Sequence, residues 1–295
     1  MIVNWRGRLM QLRKIATLAD NRVLLAGLFV LILCRYYLIE FLGVFSPELV
    51  LDTRRTVSGA EALGFIAIAV VLKDLNSDRV LRWWDIAAIT CIVIGCLHQS
   101  FLLGMIGVTC LGLLFIVRKD KRLVSLGQLC IGLAWVSFWG PIVLKGILQW
   151  LLPIETALAY WPLHFFGPFS IINGNIIDNG HGHGLQLIGA CSAFQNTITT
   201  TFIWLSLIKI QKLEFQRQHV YILAIALAAV ITLNEIRICM MAISMTQYLF
   251  WHYGPGLFIV KAIMLSVVFG LFCFCLRRDS IEPTRQALSP SLNQA

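Results

Sequence analysis

The sequence predicts an all-α polytopic membrane protein of about eight transmembrane helices. Both termini are cytoplasmic, and a small extracytoplasmic β element precedes the sixth span. Three observations predict this. First, of 295 residues 58% are hydrophobic and only 13% charged, and the mean hydropathy is +0.80. Second, the apolar residues gather in stretches near the roughly 20 residues that a helix needs to cross hydrocarbon. Third, the basic residues lie in short clusters between those stretches, the pattern that fixes membrane orientation. The net charge of +9 therefore speaks for a bilayer and not for nucleic acid.

Residues 1–22 carry Arg6, Arg8, Arg13 and Lys14 ahead of the first apolar run. No small-residue cleavage site follows, since Cys34-Arg35-Tyr36-Tyr37 comes next, so this is a cytoplasmic segment leading into an uncleaved span. The candidate spans are residues 23–43, 57–72, 84–97, 101–117, 123–144, 191–210, 220–244 and 257–276. Lys73, Arg79 and Arg82 follow the second span. Arg118, Lys119, Lys121 and Arg122 follow the fourth, Lys209, Lys212 and Arg217 the sixth, and Arg277, Arg278 and Arg285 the eighth. All clusters fall on one side of an alternating layout, which the positive-inside rule makes cytoplasmic. Were residues 84–117 re-entrant, the parity of the rest would not change. The tail, residues 279–295, is polar and is expected to be disordered.

The longest outward segment is residues 145–190. Its first half, 147–166, is aromatic and apolar, with Trp150, Tyr160 and Trp161 as interfacial anchors. Its second half holds Asn173-Gly174 between apolar pairs, a hairpin signal, then a second turn at Asp178-Asn179-Gly180. The chain then passes through His181-Gly182-His183-Gly184 to Gly189-Ala190-Cys191-Ser192.

Of nine cysteines, Cys34, Cys91, Cys96, Cys110, Cys130, Cys273 and Cys275 lie in apolar runs, where a cysteine acts as a small hydrophobe. No pair shares an external loop, so no disulfide framework is expected. Cys191 differs: it stands at the outer N-terminus of a span, where unpaired N–H groups and the helix dipole favour thiolate. Arg237 lies within an apolar stretch. An arginine at mid-span costs about 2.5–3.5 kcal/mol, so such residues mark function unless they snorkel to the headgroups. Asn234 shares its helical face. Glu235 is a possible partner for a cation on another span. His252 sits in the outward loop before the last span, and an imidazole there can serve as base and acid. A topology set by other residues thus brings thiol, guanidinium and imidazole to one face, the set that thiol acyl transfer requires. His181 and His183 would share one side of a strand, as metal ligands or as a polar turn contacting substrate. Two ligands do not make a metal site.

Three motifs in order carry a resemblance: Gly174-Asn175-Ile176 followed by Ala190-Cys191-Ser192, then Asn234-Glu235-Ile236-Arg237-Ile238, then His252. From about residue 153 to 276 the chain resembles the exosortase/archaeosortase family of membrane cysteine transpeptidases. The resemblance implies a thiol protease chemistry in which Cys191 is the nucleophile, His252 the general base and acid, and Arg237 the oxyanion stabiliser. Asn234 and Ser192 are supporting residues. It implies exported protein substrates bearing a short C-terminal motif, a transmembrane helix and a basic tail, transferred to a cell-surface acceptor through a thioester. The location implied is the bacterial inner membrane, and the chemistry calls for no metal or organic cofactor. The family reads Ala-Cys-Ser-Gly; Ala193-Phe194 here departs from it and marks a divergent subgroup. On the residues alone two other classes stay open. One is a transporter or channel with an intramembrane anion site at Arg237, although no internal repeat is apparent. The other is a non-catalytic scaffold for polysaccharide or protein export.

Overall fold

The structure, a computed structural model, describes residues 58–75, 83–97, 101–118 and 120–288, with Leu28 and Ile32. The expected first span and N-terminal segment otherwise lie outside the described residues. The chain forms two compact units. One holds the residues up to Phe138 with Lys209–Lys212, the other Trp139–Ile208 with the residues from Leu213 onward.

In the first unit, α1 (Gly59–Lys73) begins at a capping box in which Ser58 and Glu61 bond each other's backbone N–H. The free oxygen of Glu61 accepts from Ser137 Oγ at 2.5 Å. Helices α2 (Trp83–Leu97) and α3 (Phe101–Val117) form a hairpin, and α4 (Lys121–Ala134) packs on α3. Glycines bring these backbones together: a Cβ on Gly95 would strike Gly104, and one on Gly127 would lie 2.5 Å from the carbonyl oxygen of Gly112. Small residues at helix contacts are the usual means of packing where water provides no drive. At α2 and α3 the apolar stretches, Trp84–Cys96 and Leu102–Val117, are shorter than a full crossing.

Pro141 explains the next feature. It has no N–H for the carbonyl four residues back, and the helix opens into a π-turn at Trp135–Trp139 before continuing as α5 (Gly140–Leu163). Lys121–Leu163 is thus one helical run of 43 residues. Residues 147–163, expected along the interface, continue that helical run. The reason lies in their spacing: Leu152, Glu155, Thr156, Ala159 and Leu163 recur at helical intervals and are buried.

The expected β element is present. Strands β1 (Ser170–Ile172), β2 (Ile176–Asp178) and β3 (Gly184–Gln186) form an antiparallel sheet in sequence order. Asn173 and Gly174 take positive φ of 51° and 77° in the first turn, as the Asn-Gly pair predicts. Ile177 and Leu185 face each other across the register and are buried. They pack in one core with Leu152, Ala159, Cys191, Ile238 and Met241.

Beyond the sheet come α6 (Ala193–Ile210), α7 (Arg217–Ile243), α8 (Met245–His252) and α9 (Pro255–Leu288). Trp204 of α6 meets Phe272 of α9 edge to face at 5.3 Å. Lys121–Leu163, Arg217–Ile243 and Pro255–Arg277 are long and apolar enough to cross a membrane. Helix α9 runs to Leu288, so residues 279–288 of the expected disordered tail are helical. Residues 289–295 lie outside the described residues.

Candidate active site

Cys191 ends a 3₁₀ turn, Gly189–Cys191, immediately before α6. The neighbouring backbone is fully engaged. Cys191 N–H donates to Ile188 O at 2.8 Å and Ser192 N–H to Gly189 O at 3.2 Å. Asn234 Nδ2 donates to Cys191 O at 2.9 Å, and Asn234 in turn accepts from Asn196 Nδ2 at 3.1 Å. Ser192 is the N-cap of α6, its hydroxyl accepting from Phe194 N–H at 3.2 Å. That hydroxyl donates to Glu155 Oε1 at 3.0 Å, and Ala193 N–H reaches the same oxygen at 2.7 Å. The turn carrying the sulfur is therefore held from α5 and α7 as well as by its own chain.

His252 is placed by a helix and not by a loop. Ser244 ends α7 in an extended conformation and caps α8 by accepting from Gln247 N–H at 3.3 Å. The sequence places His252 in a loop because only eight residues separate this cap from the end of α8. The imidazole Nδ1 lies 3.6 Å from Cys191 Sγ, within reach of a sulfur hydrogen bond. For Nδ1 to accept the thiol proton, the ring's own proton sits on Nε2. One turn back, Tyr248 stacks on the imidazole at 5.0 Å with the planes 13° apart, and Tyr253 presents its edge at 4.4 Å. Arg237, buried on α7, donates from Nε to Trp251 O at 3.0 Å. Its guanidinium is thereby tied to the residue before His252, with the Nη groups not used in that bond.

Electrostatics correct one expectation. Burial pushes the Cys191 thiol above its ordinary value near 9, and the nearby Arg237 charge only partly opposes this. Glu155, which accepts from the Ala193 N–H at the start of α6, raises the thiol further. His252 moves the other way, below its ordinary 6.5, through burial first and the Arg237 charge second. Both shifts favour the uncharged form of each group.

The structure brings together Cys191, His252, Arg237, Asn234 and Ser192. His181 and His183 lie apart from them on the turn, not on a strand. His181 is exposed. His183 Nε2 donates to Met241 O at 3.0 Å, since a carbonyl only accepts. Its ring touches Tyr248 at 6.2 Å. The turn is fastened by Asn179, which accepts from His181 and His183 N–H and donates to Ile243 O at 2.9 Å. Glu235 pairs with no cation: both its oxygens are buried without a hydrogen-bond partner among the described residues. Two contributors escape the sequence reading. Tyr248 gives no sequence signal beyond its i, i+4 spacing to His252. Glu155 does give one, as the lone carboxylate of the apolar stretch Gly140–Leu163.

A family model described as "Transmembrane exosortase" matches residues 25–273, well beyond the part of the chain that carries the three motifs. No curated protein and no solved structure matches.

Proposed function

The chain belongs to the transmembrane exosortase family, a group of cysteine transpeptidases of the membrane, and on that premise we propose that Cys191, His252 and Arg237 form its reaction centre. The observation that carries the reading is the 3.6 Å approach of Cys191 Sγ to His252 Nδ1, with Arg237 bonded to the adjoining residue. The substrate is an exported protein whose C-terminal sorting signal presents its scissile peptide at the outer face of the bacterial inner membrane.

In the first half-reaction His252 Nδ1 takes the thiol proton as sulfur attacks the peptide carbonyl. The Nη groups of Arg237 hold the developing oxyanion. Backbone N–H groups are not available for that task at Ser192 or Ala193, since both already donate elsewhere. The tetrahedral adduct collapses as the imidazolium returns its proton to the leaving amine. The helix-and-tail fragment departs, and the rest of the substrate remains on sulfur as a thioester. In the second half-reaction His252 removes a proton from an amine, hydroxyl or water acceptor, which displaces the thiol. Shifts toward the uncharged thiol and imidazole suit this sequence, in which the proton leaves sulfur as the bond is made. Asn234 fixes the carbonyl of Cys191, which keeps the sulfur's backbone in register with α7.

The test is Cys191→Ala in cells that make a helix-tailed exported protein. The variant is expected to insert at normal levels and to accumulate uncleaved substrate. Normal processing by that variant removes Cys191 from the chemistry.

A further inference from the structure

We propose that Glu155 is a positioning residue for the nucleophile: from α5 its carboxylate clamps the first residues of α6 and so aims the sulfur of Cys191 at His252. The proposal rests on the reading of Cys191 and His252 given above and adds a residue to that site.

The geometry is specific. One oxygen, Oε1, receives both the Ser192 hydroxyl at 3.0 Å and the Ala193 N–H at 2.7 Å. Those donors belong to the two residues directly after Cys191. Asn234 holds the Cys191 carbonyl from α7 and Glu155 holds the Ser192 hydroxyl and the next N–H from α5, so Ser192 is gripped on both sides from two helices. Glu155 is 2% exposed, and its second oxygen has no partner among the described residues. Glu235 of α7 is a second carboxyl whose oxygens are buried without a hydrogen-bond partner among the described residues. A buried carboxylate with one idle oxygen is a poor choice for stability, because desolvation is met by no cation. Packing alone would favour an apolar residue at this point of the stripe. What the carboxyl supplies, and an apolar residue does not, is an acceptor reaching two successive donors at a helix start.

The effect passes through Cys191, so Glu155 and His252 should act as a coupled pair. The test uses the full-length protein, with turnover of a helix-tailed exported protein followed by the appearance of its cleaved product. Glu155→Ala is expected to slow turnover about tenfold to a hundredfold, the loss that a roughly 1 Å misplacement can bring. In a His252→Ala background it should cost little more. Glu155→Gln retains an Oε1 acceptor and should stay within about threefold of the parent, the loss of an uncharged-for-charged acceptor being smaller than loss of both bonds. Thermal unfolding of each variant separates misplacement from failure to fold. Additive losses in the double variant overturn the proposal, as does a Gln variant as impaired as the Ala variant. If processing needs Cys191 and His252 while Glu155→Ala matches the parent, the proposal falls alone. If the coupling appears but Cys191→Ala still processes substrate, the reading of the reaction centre falls instead.

Discussion

Two polar regions of this molecule solve the problem of charge in opposite ways. In the first unit Asp74, at the end of α1, pairs with Lys212 at 2.6 Å, and Arg122 donates to the Asp74 carbonyl. Arg118 pairs with Asp85 nearby in sequence to the same clusters. The Lys212 hydrogen bond holds the Asp74 carboxyl below its usual range. Cations here have anions, as a folded chain left to stability alone arranges them. In the second unit Arg237 is buried with no carboxylate partner among the described residues, and bonds only a carbonyl. Glu155 and Glu235 are carboxylates without cations. A guanidinium on one side and two acids on another, kept from pairing, cost stability. Such an arrangement is expected where the guanidinium must stay available for a charge that appears only during reaction.

The comparison can be broken by substitution. His252→Ala should lower processing about 10²- to 10⁴-fold, the range for loss of a general base, measured as turnover of a helix-tailed exported protein. A loss under tenfold would leave the imidazole without that role. Arg237→Met should lower it about 10²- to 10³-fold. It should also move the acid limb of any remaining activity. Burial and the Arg237 charge both hold His252 below 6.5, so the base form persists as pH falls to that value and is lost only below it. Removing the charge lets imidazolium form sooner, and the limb shifts to higher pH. An unmoved limb would show that Arg237 does not face the imidazole in solution. Tyr248→Ala removes a stacked ring worth about 0.5–1.5 kcal/mol, or roughly two- to tenfold in rate, and Tyr248→Phe should restore it. At the small end, Asp74→Asn should leave processing unchanged, since exposed pairs contribute little. A large loss there would erase the distinction between the two regions.

How much of this was legible in the sequence differs by kind of information. The helical architecture follows from apolar stretches, and the small sheet from Asn173-Gly174 and the turn after it. Cys191, Arg237 and His252 stand out because each breaks a local pattern: a thiol at a span start, a cation in an apolar run, an imidazole between spans. Misreadings occur where a neighbour distant in sequence decides the outcome. The start of α6 looks free to stabilise a thiolate, but Glu155, 38 residues earlier than Ala193, occupies it. His252 looks like a loop residue because a single extended serine, Ser244, separates two helices. Of the two readings that His181-Gly182-His183 allows, a strand with paired rings and a polar turn, Gly182 with a φ of 86° fits the turn.

The central claim is that the sulfur of Cys191 carries the substrate. Its most direct test is mass spectrometry of the Cys191 peptide from full-length protein isolated with a helix-tailed exported substrate. The account predicts an adduct on Cys191 bearing the substrate's N-terminal portion, released by hydroxylamine as a thioester is, and absent from His252→Ala. Processed substrate alongside a Cys191 that never acquires the adduct, with Cys191→Ala equally active, would contradict it.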